Sequence, residues 1–90
     1  MKRYILLYDN TSCHYDYYIL VYICGDLMLQ TSVFYEIESI EGYNIENNVY
    51  VTIKKFINNP SNDNHFEIMF ETNTKPTLNF IRTNYPELLV

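Results

Sequence analysis

Residues 15–38 read YDYYILVYICGDLMLQTSVFYEIE, and the fold turns on reading them as two strands joined by a tight turn. Tyr15 to Cys24 holds three β-branched residues and four tyrosines but no Ala, Glu or Lys, which favours strand over helix. The stretch is apolar on both faces, as expected of a central strand. Gly25-Asp26 then makes a two-residue hairpin, with glycine accepting the positive φ that such a turn needs. A regular hairpin pairs Cys24 with Leu27, Tyr22 with Leu29, Leu20 with Thr31 and Tyr18 with Val33. The returning strand is expected over Leu27 to Ile40, with Val33, Tyr35 and Ile37 on one side and Glu36 and Glu38 on the other. A slip of one residue would bury the glutamates, so the alternation pins the register.

Outward from this hairpin the signals are mostly of strands. Tyr4 to Tyr8 is a short apolar strand with no lysine in its middle, an edge that invites pairing with itself in a homodimer or with a target. Glu41 to Asn48 is a polar connection turning at Gly42 or at Asn47-Asn48. Val49 to Ile57 reads as a strand with Val49, Val51 and Ile53 inward and Tyr50, Thr52 and Lys54 outward. Asn58 to Asn64 is built entirely of turn formers. Phe66, Ile68 and Phe70 then alternate with Glu67, Met69 and Glu71. As a meander, these last strands would place Lys54 between Glu36/Glu38 and Glu67/Glu71 on the solvent face. Beyond Thr74 the period changes: Leu78, Ile81 and Tyr85 recur at helical spacing, Pro76 suits a first turn and Pro86 ends it. Leu88-Leu89-Val90 either docks back on the sheet or stays exposed. The expectation is a single α+β domain over residues 1–90, an antiparallel sheet of four to five strands with one short C-terminal helix on one face.

Charge is distributed unevenly. From Tyr4 to Ile53 there is no Lys or Arg, yet this stretch holds seven of the eleven carboxylates and nine of the ten tyrosines. With a net charge of -5 and a pI near 4.7, direct nucleic-acid binding is disfavoured, because phosphate backbones are bound through Lys and Arg. Asn, Ile, Tyr, Phe and Lys, whose codons are AT-rich, are abundant and Ala is absent, which suggests an AT-rich genome: that of a phage, a large DNA virus, a firmicute or a protist. Eleven asparagines argue against a hyperthermophile.

Chemistry-bearing clusters are sparse. Extended chain places Cys13 and Cys24 roughly 35 Å apart, beyond disulfide reach, so reduced thiols are expected. Cys13, His14 and His65 are the thiol–imidazole grouping, but neighbours on a strand point to opposite faces, and no oxyanion-hole or glycine-elbow motif accompanies them. Zinc-ligand spacings are missing, and the loop holding Asp63 lacks the acidic density of a calcium site. The Glu36/Glu38 and Glu67/Glu71 pairs resemble glycosidase carboxylates, although a sheet this small offers little cleft. The expectation is a non-enzyme without cofactor or metal. The apolar run at the N-terminus is cut by Asp9 and Asn10, too early for a signal peptide, and no stretch approaches a membrane span. The host cytoplasm is therefore the expected compartment.

Carboxylates steer encounter with a basic partner and tyrosines anchor it. The expected function is a small acidic inhibitor, virus- or phage-encoded, that mimics DNA charge and occludes the nucleic-acid-binding surface of a host defence nuclease. The partner-binding residues are expected to be Glu36, Glu38, Glu41, Tyr43, Glu46, Tyr50, Glu67 and Glu71. The alternatives are a structural viral component assembling through sheet edges and, more distantly, a thiol enzyme using Cys13 and His65.

Overall fold

A computed structural model describes residues 2–9, 17–25, 27–34, 47–59 and 66–89; for 29–34 the backbone alone is described. Four strands form one antiparallel sheet: β1 (Lys2–Asp9), β2 (Tyr17–Cys24), β3 (Leu27–Phe34) and β4 (Phe66–Thr72). Their order is β3-β2-β1-β4. Helix α1 (Asn47–Asn58) lies between β3 and β4 in the chain. Helix α2 (Leu78–Asn84) and a 3-10 turn, Pro86–Leu88, follow β4. The fold is α+β, with helices on both faces of the sheet.

The two central strands explain this layering. β1 carries Tyr4-Ile5-Leu6-Leu7-Tyr8 and β2 carries Tyr18-Ile19-Leu20-Val21-Tyr22, nearly the same five-residue pattern. Run antiparallel, they pair like with like: Tyr4 with Tyr22, Leu6 with Leu20, Leu7 with Ile19 and Tyr8 with Tyr18. Alternation sends Ile5, Leu7, Ile19, Val21 and Ile23 to one face, where Ile53 and Phe56 of α1 cover them together with Phe66 and Met28. Leu6 and Leu20 point to the other face and meet Phe70 and Ile81 of α2, with Leu78, Tyr85, Leu88 and Leu89 packed around them. Leu88 and Leu89 therefore dock on the core rather than project from it.

Several expectations need correction. β1 is not an edge: it runs from Lys2 to Asp9 and pairs with β2 on one side and β4 on the other. The edges are β3 and β4. Val49 to Ile57 is not a strand but most of α1. Its β-branched residues favour extended chain, yet Val49, Tyr50, Ile53, Phe56 and Ile57 recur at helical spacing, and packing of that stripe on the sheet overrides propensity. Ile53 and Phe56 are buried, Tyr50 turns inward and Val51 is 43% exposed, the reverse of the expected pattern for Tyr50 and Val51. Asn59 closes the helix, its N–H donating to the carbonyls of Lys55 and Phe56 at 3.1 and 3.2 Å. The final meander is accordingly absent, and Lys54 sits exposed on α1.

Bulges account for the remaining differences. The hairpin turns at Gly25 (φ 63°) and pairs Cys24 with Leu27 as expected. A register shift between Tyr22 and Ile23 then passes over Leu29, so Tyr22 meets Gln30, Leu20 meets Ser32 and Tyr18 meets Phe34. The rest of the expected strand, residues 35–40, lies outside the described residues. In β4 a shift against Leu6/Leu7 passes over Met69. Phe66 and Phe70, expected on one face, consequently enter opposite cores, and Ile68 is left 45% exposed. At α2 the helix starts two residues beyond Pro76: Thr77 is the N-cap, its side-chain oxygen accepting from the Phe80 N–H at 3.1 Å.

Helix and strand make opposite demands on Val51. Ile53→Ala is expected to destabilise the protein by about 2–4 kcal/mol, and Val51→Ala by no more than about 0.5 kcal/mol. Urea unfolding of both variants checks this; equal losses would restore the strand.

Candidate functional site

Four phenols collect on the α2 face of the sheet. The Tyr4 and Tyr22 rings lie with centroids 4.8 Å apart, and those of Tyr8 and Tyr18 5.4 Å apart, one pair on each side of Leu6 and Leu20. All four are half-buried, and Tyr4 and Tyr18 pack against the α2 cluster. Nearby, Phe70 stacks on Tyr85 at 4.7 Å and meets Phe80 edge-on at 5.7 Å, fixing the C-terminal segment to the sheet. These rings are in large part structural. The signal that could have revealed the paired tyrosines was the repeated Tyr-Ile-Leu-x-Tyr pattern of β1 and β2.

The described carboxylates do not join the phenols as a group. Glu67 stands opposite Tyr8 in the ladder, hence on the same face, and is exposed. Glu71 stands opposite Ile5, on the α1 face, where Arg3 holds it: Nη2 lies 2.6 Å and Nε 2.8 Å from Oε1. Both partners are about two-fifths exposed, so the pair contributes little stability. Its consequence is for charge, since Glu71 is already matched by a cation of its own chain.

Tyr50, expected to face outward as an anchor, is occupied in a different way. Its ring packs on the α1 core, and its hydroxyl donates to the Met28 carbonyl, joining α1 to the start of β3. Glu36, Glu38, Glu41, Tyr43 and Glu46 lie outside the described residues, as do Cys13, His14, Asp63 and His65. Cys24 is a half-buried free thiol. Among the described residues no group of three or more His, Cys, Asp or Glu could hold a metal ion, and no helix is long and apolar enough to cross a membrane.

Charge divides sharply between the described residues and the rest of the chain. The described residues include all six cations (Lys2, Arg3, Lys54, Lys55, Lys75 and Arg82) and four carboxylates: Asp9, Glu67, Glu71 and Glu87. The other seven carboxylates fall outside the described residues, and four of them (Glu36, Glu38, Glu41 and Glu46) lie within residues 35–46. That segment contains no cation and leaves the chain's edge strand β3 to enter α1. The described residues are thus cationic on balance, and the chain's net negative charge comes from the remainder of the sequence.

Removing the Tyr50 hydroxyl tests its structural role. Tyr50→Phe is expected to lower unfolding free energy by about 1 kcal/mol, read by urea titration, with no change in the ring packing seen by near-UV circular dichroism. An unchanged stability would leave the hydroxyl without a structural task. Comparisons of the chain with protein-family models, with curated proteins and with solved structures found no match.

Proposed function

We propose that this protein is a small binding module that engages the basic surface of another protein through residues 35–46, blocking that surface to nucleic acid. The observation that carries the reading is the concentration of Glu36, Glu38, Glu41 and Glu46 in twelve consecutive residues, in a chain whose described residues hold more cations than carboxylates. Four like charges within twelve residues attract Lys/Arg-rich surfaces and speed encounter with them. Tyr35 and Tyr43 in the same segment supply rings for contact, and Glu67 can add a carboxylate from β4. Tyr50 and Glu71 leave the expected contact set, because each serves an internal bond. The AT-rich composition supports a viral or phage origin, with a host defence nuclease as the kind of target.

A second reading, assembly through sheet edges, is favoured by the position of β3 and β4 at the two ends of the sheet.

Charge reversal tests the first reading. Wild-type protein on beads, incubated with host lysate at low salt, is expected to retain a nucleic-acid-binding protein and to release it as ionic strength rises. Glu36→Lys/Glu38→Lys is expected to weaken that capture by at least about tenfold. Equal recovery of the same partner by both forms would reduce the glutamates to a solubility device.

A further inference from the structure

We propose that the outer edge of β3 pairs antiparallel with β3 of a second copy of this chain about a twofold axis, forming one eight-stranded sheet. The proposal rests on the second reading above and names the edge and its partner. Both faces of the sheet are covered, by α1 on one side and by α2 with Pro86–Leu88 on the other. Strand addition is then left to the edges, which among the described residues are the outer sides of β3 and β4.

The edges differ in charge. β4 (FEIMFET) exposes Glu67 and Glu71. Because of the bulge, Glu67 and Glu71 lie on opposite faces of β4, so a strand added there would meet a carboxylate on either side of the sheet, and charge on an edge strand discourages pairing. β3 (LMLQTSVF) carries no charge, no proline and no glycine. It lacks the lysine, proline or inward charge by which natural edges discourage pairing. Two β3 strands can meet in any antiparallel register without opposing like charges.

The same comparison selects the occupant. A cationic partner strand would find no carboxylate on β3 to answer it, whereas β3 itself matches strand for strand. Pairing β3 of one copy with β4 of the next would be head-to-tail and would leave edges open to further addition; β3 on β3 closes as a dimer. An eight-residue edge buries a modest area, so the association is expected to be weak and concentration-dependent, and is sought from about 10 to 200 µM.

Sedimentation velocity over that range, at low and high salt, reads the association. The expected result is a species of twice 10.8 kDa that persists, slightly strengthened, as salt rises, because the two acidic chains repel. Amide hydrogen exchange at dilute and concentrated protein is expected to show protection gained on β3 and not on β4. Ser32→Lys, which puts a lysine on the edge strand, is expected to weaken the association. A monomer at every concentration would overturn both the proposal and edge assembly. A dimer protected along β4 would overturn the proposal and leave edge assembly standing. Should Ser32→Lys fold poorly, the exchange pattern of the wild type still decides.

Discussion

Ile5, Leu6 and Leu7 are consecutive residues of one strand, and each is no more than 2% exposed. Successive side chains on a strand point to opposite faces, so burying all three requires a cover on both sides of the sheet. The rest of the architecture answers that demand. α1 closes over Ile5 and Leu7 with Ile53 and Phe56, and α2 closes over Leu6 with Ile81. Pairing on both edges of β1 meets the parallel demand of its backbone groups, which could not be left without partners in such a position.

Covering both faces has a consequence for the surface. Among the described residues, a sheet covered by a helix on each face gathers no group of carboxylates and phenols on one open face. The tyrosines of β1 and β2 instead become pairs at the margins of the α2 core, and the cations are carried on the scaffold, where Arg3 matches Glu71. The excess negative charge falls outside the described residues, with four of the seven remaining carboxylates in residues 35–46.

Much of the fold was legible because its signals were local. The hairpin at Gly25, the two-faced apolar character of β2 and the terminal helix around Leu78 and Ile81 each follow from turn chemistry or periodicity within a few residues. What could not be read was decided at a distance. Val49, Val51 and Ile53 satisfy a strand pattern while Val49, Tyr50, Ile53 and Phe56 satisfy a helical one, and the choice depends on whether a bare sheet face awaits the helix. The bulges at Leu29 and Met69 leave no residue signature such as glycine, yet they reverse which face each later side chain meets. The position of β1 was open to inference from its likeness to β2, since matching patterns pair well when antiparallel. Of the candidate site, Tyr50 and Glu71 were misjudged because their partners, the Met28 carbonyl and Arg3, are remote in sequence.

The account stands on β1 lying between two strands beneath helices on both faces. Interstrand nuclear Overhauser contacts measure this directly. Leu6 is expected to show them both to Leu20 and to Phe70, while residues 47–58 show the sequential amide contacts of a helix. Contacts from Leu6 to Leu20 alone, with residues 49–57 instead laddered against 66–72, would contradict it.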